Sequence, residues 1–403
     1  MAALTPISRK PMSVVLPTVA LAGAFAGMFV GAGNGSIPLG ILGGAVLMTG
    51  LAWVFINVLK NEQMARWITI LAFGIAGILL SGPMGGVLGL LGGWFFAWFI
   101  YWLYEGRYRQ KLLPYLTAKQ VFYHYLFRVI CGAIFVFLIT PILVVLPLSF
   151  NAQDFFTFTP EMLRLDPEGY SLKHYRDFFT NNEWQRSFKN SLIIAPIATV
   201  ISVSLGTLAA IGLSQSHVPG RRAIMGILIS PMIVPLIISA TGMFFFYSDI
   251  GRFLEGTLGM NKNFVGYLKV ILAHAVLGIP FVIITVTATL VGFDRSLTRA
   301  AANMGAGPVR TFFSIQMPLI LPGVISGGLF AFITSFDEVV VVLFVGSASQ
   351  KTLPWQMFTG LREQISPTIL AVATILVVLS IGLLATVELL RRRSERLRGL
   401  SPA

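Results

Sequence analysis

Apolar runs of about twenty residues recur from one end of this chain to the other, and a run of that length matches the hydrocarbon core of a bilayer. Ten can be drawn, at 13–33, 38–58, 67–81, 85–104, 129–149, 191–213, 223–246, 268–291, 319–346 and 367–388. The third is short enough to be re-entrant. Charged residues make up 11% of the chain, where a soluble domain carries about 25%. Mean hydropathy is +0.81. A large water-soluble core is excluded, and the expected fold is an all-α, polytopic membrane protein.

The net charge of +13 raises the question of nucleic acid, but its distribution answers it. With Arg9 and Lys10 placed inside, the ten spans put 19 basic residues against five acids on the inner side. The other ten basic residues face eleven acids. Cytoplasmic loops carry such an excess of Lys and Arg, so the charge reads as topology, with both termini cytoplasmic and no nucleic-acid partner. The basic start followed by an apolar run has the outline of a signal peptide. Because a second apolar run follows the Gly-Ala-Gly-Asn-Gly-Ser-Ile hairpin at 31–37, an uncleaved first span is expected. The lone Cys131 lies in an apolar run, has no partner for a disulfide and is expected to pack as a small hydrophobe.

The organisation read from these runs has four parts. Residues 1–110 form a four-span module, 111–128 a basic cytoplasmic linker, 129–390 a six-span unit and 391–403 a basic cytoplasmic tail. An interfacial helix is expected around 105–128. Gly23, Gly27 and Gly31 repeat at four-residue spacing, as do Gly85, Gly89 and Gly93. Small residues so spaced let helix backbones approach in lipid, either within the module or toward another subunit.

The inner loop between the fourth and fifth spans of the six-span unit, 294–318, is a polar island. Asp294 or Ser296 can cap a helix. Residues 297–304 suit a helix, Gly305 can end it in the left-handed conformation, and Pro308 can start another turn. Arg299-Ala300-Ala301, then Gly305-Ala306, then Met317-Pro318 resemble the ATPase-coupling loop of ABC-importer permeases. That family has a glutamate where this chain has Arg299. The resemblance extends over residues 130–390. Ser149-Phe150-Asn151, Tyr170 to Tyr175 and Asn190-Ser191-Leu192 are similar to the outer loop of spermidine/putrescine-type permeases. Ser335-Phe336-Asp337-Glu338, Thr352-Leu353-Pro354 and Ser366-Pro367 resemble the second, C-type permease of that group.

The resemblance implies a six-span type I ABC importer permease, working by alternating access with ATP bound on ABC ATPase subunits. A second permease subunit and a periplasmic solute-binding protein complete the expected assembly in the bacterial inner membrane. The coupling residues it implies are Arg299, Ala300, Ala301, Gly305, Ala306 and Pro318. Asp337 and Glu338 sit inside an apolar stretch, where ionisable groups commonly line a pathway. Two readings stay open for them: attraction of an ammonium-bearing cargo, or capping of a helix start near outer water. His274 is expected to be a polar group in helix packing.

The implied cargo is a polyamine or a related small organic cation; iron, thiamine or an aminophosphonate are same-fold alternatives. A channel or secondary transporter, the alternative of another class, would show repeated half-sites between its halves. No P-loop, His-Glu-x-x-His or Cys/His cluster is present in the sequence, so no cofactor or metal is expected and ATP hydrolysis is assigned to another subunit. The topology makes a direct prediction on a Cys131→Ser background. A cysteine replacing Arg299 should be labelled by a membrane-impermeant maleimide only from the inside, and one replacing Tyr170 only from the outside.

Overall fold

The computed structural model describes residues 9–33, 35–59, 61–110, 112–113, 115–214, 218–294, 296–363 and 366–397. His217, Arg295 and residues 398–403 of the basic tail lie outside them. Nine helices among the described residues are long and apolar enough to cross a membrane, and a bent pair adds a tenth. The only β pairing among them is one bridge between Asn151 and Tyr170. The chain divides into two compact units, Met1–Ser171 and Leu172–Ala403.

In the first unit, Met12–Gly33 and Ile37–Val54 form one helical hairpin. Its glycine stripe is used within the chain: a Cβ on Gly27 would overlap the Gly40 carbonyl, and one on Gly23 the Gly44 carbonyl. Glu62–Tyr104 is a second hairpin that turns at Gly82, and Gly89 and Gly93 lie against the backbones of Phe73 and Thr69. The expected short third span is therefore the first arm of a hairpin, Glu62–Leu79. At the open end of this hairpin Glu62 pairs with Arg66 and Arg107, and Arg107 also reaches Glu105 at 2.5 Å. Tyr101 donates to the Phe55 carbonyl at 3.1 Å, joining the two hairpins.

The next span starts earlier than expected. Ala118–Leu148 is one helix, begun by a capping box between Thr117 and Gln120. Residues 118–128 are thus its first turns, and the described residues between 105 and 117 hold only a short 3-10 turn, Arg107–Arg109. Tyr125 donates to the Tyr108 carbonyl at 2.5 Å and its ring meets Trp102, which ties this helix to the N-terminal hairpins. Cys131 on this helix is exposed, so it does not pack inside this chain.

In the second unit the Lys262–Val291 helix is the centre, with Asn182–Ser214 and Met317–Phe336 against it. Ser202 donates to the Ala275 carbonyl at 2.9 Å, and His274 Nδ1 meets Ser335 Oγ at 2.8 Å. His274 is fully buried and packs as a polar group between these helices, although its Nε2 has no partner among the described residues.

Two expected spans are broken. The run at 223–246 is two helices, Arg221–Ile233 and Leu236–Thr257, bent by 103°. Pro235 lacks an N–H and disfavours helix at Val234, which is extended at ψ 137°. The run at 319–346 stops at Phe336 and resumes as the short helix Val340–Val345.

The hairpin geometry gives a paired test. Gly27→Val should cost about 1–3 kcal/mol, because the neighbouring atoms are backbone and cannot rotate away. Gly43→Ala, where a Cβ meets open space inside a helix, should keep or slightly raise stability. Thermal unfolding of the purified full chain in detergent reads both.

Candidate functional site

The loop after the central helix folds into a compact, capped knob. Asp294 accepts the Ser296 backbone N–H at 2.8 Å and its hydroxyl at 2.7 Å. The hydroxyl bond first, and the backbone bond second, hold the Asp294 carboxyl below the usual aspartate value. The helix runs Ser296–Asn303. Gly305 follows at φ +82°, its N–H donating to the Ala302 carbonyl at 2.9 Å, while the Ala306 N–H donates to the Ala301 carbonyl at 3.0 Å. This pair of bonds is the Schellman arrangement, and it closes the last turn around a residue that needs a left-handed backbone. Pro308 then opens a new helical run.

That run continues into the membrane helix through a π turn at Phe312–Gln316, with the Met317 N–H bonded to the Phe312 carbonyl. Pro318 sits directly after the π turn, inside a continuous span Pro308–Phe336, and not ahead of it. A π turn widens the helix by one residue and accommodates the proline that removes an N–H.

The six loop residues singled out from sequence are placed as follows. Ala301 is buried and Ala306 half-buried, bracing the knob from within. Arg299, Ala300, Gly305 and Pro318 are exposed. What the polar reading of this loop missed is its apolar surface: Leu297 is 42% and Met304 87% exposed, and Val309 and Phe313 follow at 69% and 62%. Leu297, Ala300 and Met304 are spaced to share one helix face, a signal present in the sequence.

Both acids lie in the break between Phe336 and Val340, but their side chains have different surroundings. Glu338 is 7% exposed and its Oε1 accepts the Val341 N–H at 2.8 Å, with the backbone of Val340 and Val339 also bonding to it. It caps the start of Val340–Val345. Asp337 is exposed and its carboxylate has no hydrogen bond or ion pair among the described residues. It lines a slot of about 270 Å³ whose walls include Phe332, Phe336, Leu379, Ser380 and Leu383.

The outer-loop motif residues act as ties. Asn190 Nδ2 donates to the Ser349 and Lys351 carbonyls at 2.9 and 2.8 Å, and Ser191 Oγ accepts the Leu353 N–H at 2.8 Å. They hold the 347–353 segment to the start of the Asn182–Ser214 helix, at the far end of the central helix from the knob.

Spans thus pack around a buried central helix, with a capped knob at one end and a braced polar segment at the other. A family model described as the binding-protein-dependent transport system inner membrane component matches residues 202–396. The spermidine/putrescine transport system permease PotC of Haemophilus influenzae is 30% identical over 262 residues, covering 65% of this chain and 95% of that protein. The putrescine transport system permease PotI of Escherichia coli K12 is 28% identical over 272 residues, covering 67% and 92%. A chain of a bacterial ABC transporter involved in the import of the acidic polysaccharide alginate shares the fold, with a TM-score of 0.51 at 17% identity over 70% of this chain and 99% of that one. This chain belongs to the family of binding-protein-dependent transport system inner membrane components. It is a multi-pass inner-membrane transport subunit.

The split of the acidic pair predicts different outcomes for its two members. Glu338→Ala should lower stability by about 1 kcal/mol through loss of the cap. Asp337→Asn should not. Thermal melts of the two variants in detergent distinguish them.

Proposed function

We propose that this chain is a permease subunit of an importer for polyamines or a related small organic cation. Residues 129–390 carry the passage, with both termini and the 294–318 loop in the cytoplasm. A second permease subunit, ABC ATPase subunits and a periplasmic solute-binding protein complete the transporter. Two relatives that this chain spans almost end to end are named as spermidine/putrescine and putrescine permeases, which supports this cargo class. The observation that carries it on this chain is Asp337. An ionised carboxylate at membrane depth costs several kcal/mol unless something pairs with it, and an ammonium group entering the slot supplies the pair. Glu338, tied to backbone, holds the turn that presents Asp337.

The coupling step uses the knob. A hydrolysing ATPase closes against the exposed face of Leu297, Ala300 and Met304. The Schellman closure keeps the knob from unwinding under that load, and the π turn and span from Pro308 carry the displacement into the membrane. Arg299 takes the place of the family's glutamate, which fits an ATPase surface of matching charge. ATP binding and hydrolysis belong to the partner, and the residues 1–110 module serves assembly or partner choice.

Gly305→Pro tests the coupling step. Proline fixes φ near −65° and removes the N–H given to Ala302, so the left-handed closure is lost. Substrate-stimulated ATP hydrolysis of the reconstituted transporter should fall by at least tenfold while the subunits still copurify; normal hydrolysis would reject the role. Asp337→Asn tests the cargo step: uptake of labelled spermidine or putrescine into right-side-out or reconstituted vesicles, with ATP enclosed and binding protein outside, should drop with assembly intact. Unchanged uptake would remove Asp337 from the path.

A further inference from the structure

At the end of the central helix opposite the knob, two adjoining recesses open side by side. One is about 580 Å³ and is lined by Arg186, Lys189, Gln185, Asn190, Asn263 and Tyr267 among others. The second, about 320 Å³, shares Asn182 and Arg186 with it and adds Lys351, Glu183 and Gln356. Both have the size of ligand-holding clefts. Their floor is fixed. Asn190, 2% exposed, accepts from the Tyr267 hydroxyl at 2.5 Å while donating to two carbonyls of the 349–351 segment. Gln350, 1% exposed, donates to Asn263 Oδ1 at 2.9 Å. A rigid polar floor thus lies beneath a rim that carries Arg186, Lys189 and Lys351.

The sign of that rim is the informative point. Among the described lining residues the one carboxylate, Glu183, accepts from Gln356 at 3.2 Å, and those of the larger recess include no acid. Apart from these three cations, the residues not assigned to the inner side hold seven bases against eleven acids, so this concentration of cations is local. A focused positive potential repels free ammonium groups and attracts carboxylates. It is the wrong sign for a reception site for the cargo inferred above.

The geometry points to a socket for carboxylate side chains of the outside solute-binding protein, seated around Arg186 and Lys189. This rests on the reading of the chain as an importer permease with that partner. Arginine forks onto a carboxylate through two parallel N–H bonds, and the neighbouring asparagine and glutamine amides satisfy the oxygens that remain. Such a socket has a second effect. Free cation is turned away from the mouth, and cargo enters only when a docked partner has covered the rim with its own acids. The socket stands at one end of the Lys262–Val291 helix and the knob at the other, 30 residues away along one helix.

The test uses the complete transporter in nanodiscs with its cognate binding protein, and reads association by biolayer interferometry across a salt series. Arg186→Gln with Lys189→Gln should lower the association rate constant about tenfold at low salt and flatten its salt dependence, as expected when steering charges are removed. Arg186→Glu with Lys189→Glu should lower it further, and lysine substitutions of acidic residues on the binding protein's docking face should restore it. Copurification of the ATPase checks folding. An unchanged rate and salt slope in both double variants would overturn the socket. So would unchanged association accompanied by altered cargo selectivity, since the recess would then belong to the cargo path. The binding protein's own ligand preference is measured separately, by calorimetry with putrescine and spermidine. A non-polyamine ligand there would overturn the cargo reading and leave the socket standing.

Discussion

Everything in this chain is subordinate to one requirement: within lipid, each backbone N–H and C=O must find its partner inside the protein. Continuous helices meet that requirement by themselves, which is why most of the chain is helix. The places where helices stop are therefore costly, and each carries a device that repairs the ladder. After Phe336 the carboxylate of Glu338 takes N–H groups at the start of Val340–Val345. At Val234 the interruption falls beside Pro235, where one N–H is missing already. Ahead of Pro318 the ladder changes to i→i+5 bonding for one turn. Asp337 lies at the first of these repairs and the knob leads into the third, where backbone geometry departs from the helix and side chains can be aimed.

Much of this was legible in the sequence. The apolar runs marked the spans, because the length needed to cross a bilayer is fixed. The left-handed backbone at Gly305 was legible because glycine followed a run of good helix formers. The polar packing of His274 followed from its apolar surroundings. Other features were not, for physical reasons that differ. The start of the fifth helix at Ala118 was hidden because its first turns are polar and aromatic, and hydropathy alone marks only the part that lies in hydrocarbon. The division of Asp337 from Glu338 depends on where the chain bends, which is set by tertiary packing. The recess around Arg186 is assembled from three segments far apart in sequence, so no local pattern announces it.

The central helix gives the second unit its mechanical character. It is buried along most of its length and is bonded to its neighbours by small polar contacts such as Ser202 to Ala275 and His274 to Ser335. Close packing of this kind resists bending and favours movement of helices as bodies. Under the proposed coupling, a disturbance at the knob is felt as a displacement of whole spans. In that proposal the breaks at Val234 and Asp337 are the joints between neighbouring pieces.

The π turn at Phe312–Gln316 has a consequence for how the protein can diversify. Each residue in a helix turns the chain by about 100°. One extra residue in a turn therefore rotates everything before it relative to everything after it by about that angle. Loss of a single residue in this stretch would restore ordinary helix and swing the knob to a new azimuth, with its own side chains unaltered. If the knob meets an ATPase as proposed, a relative facing a differently shaped engine need not rebuild it; one insertion or deletion re-aims it, and the phase of that single turn becomes a heritable setting for which partner the subunit engages.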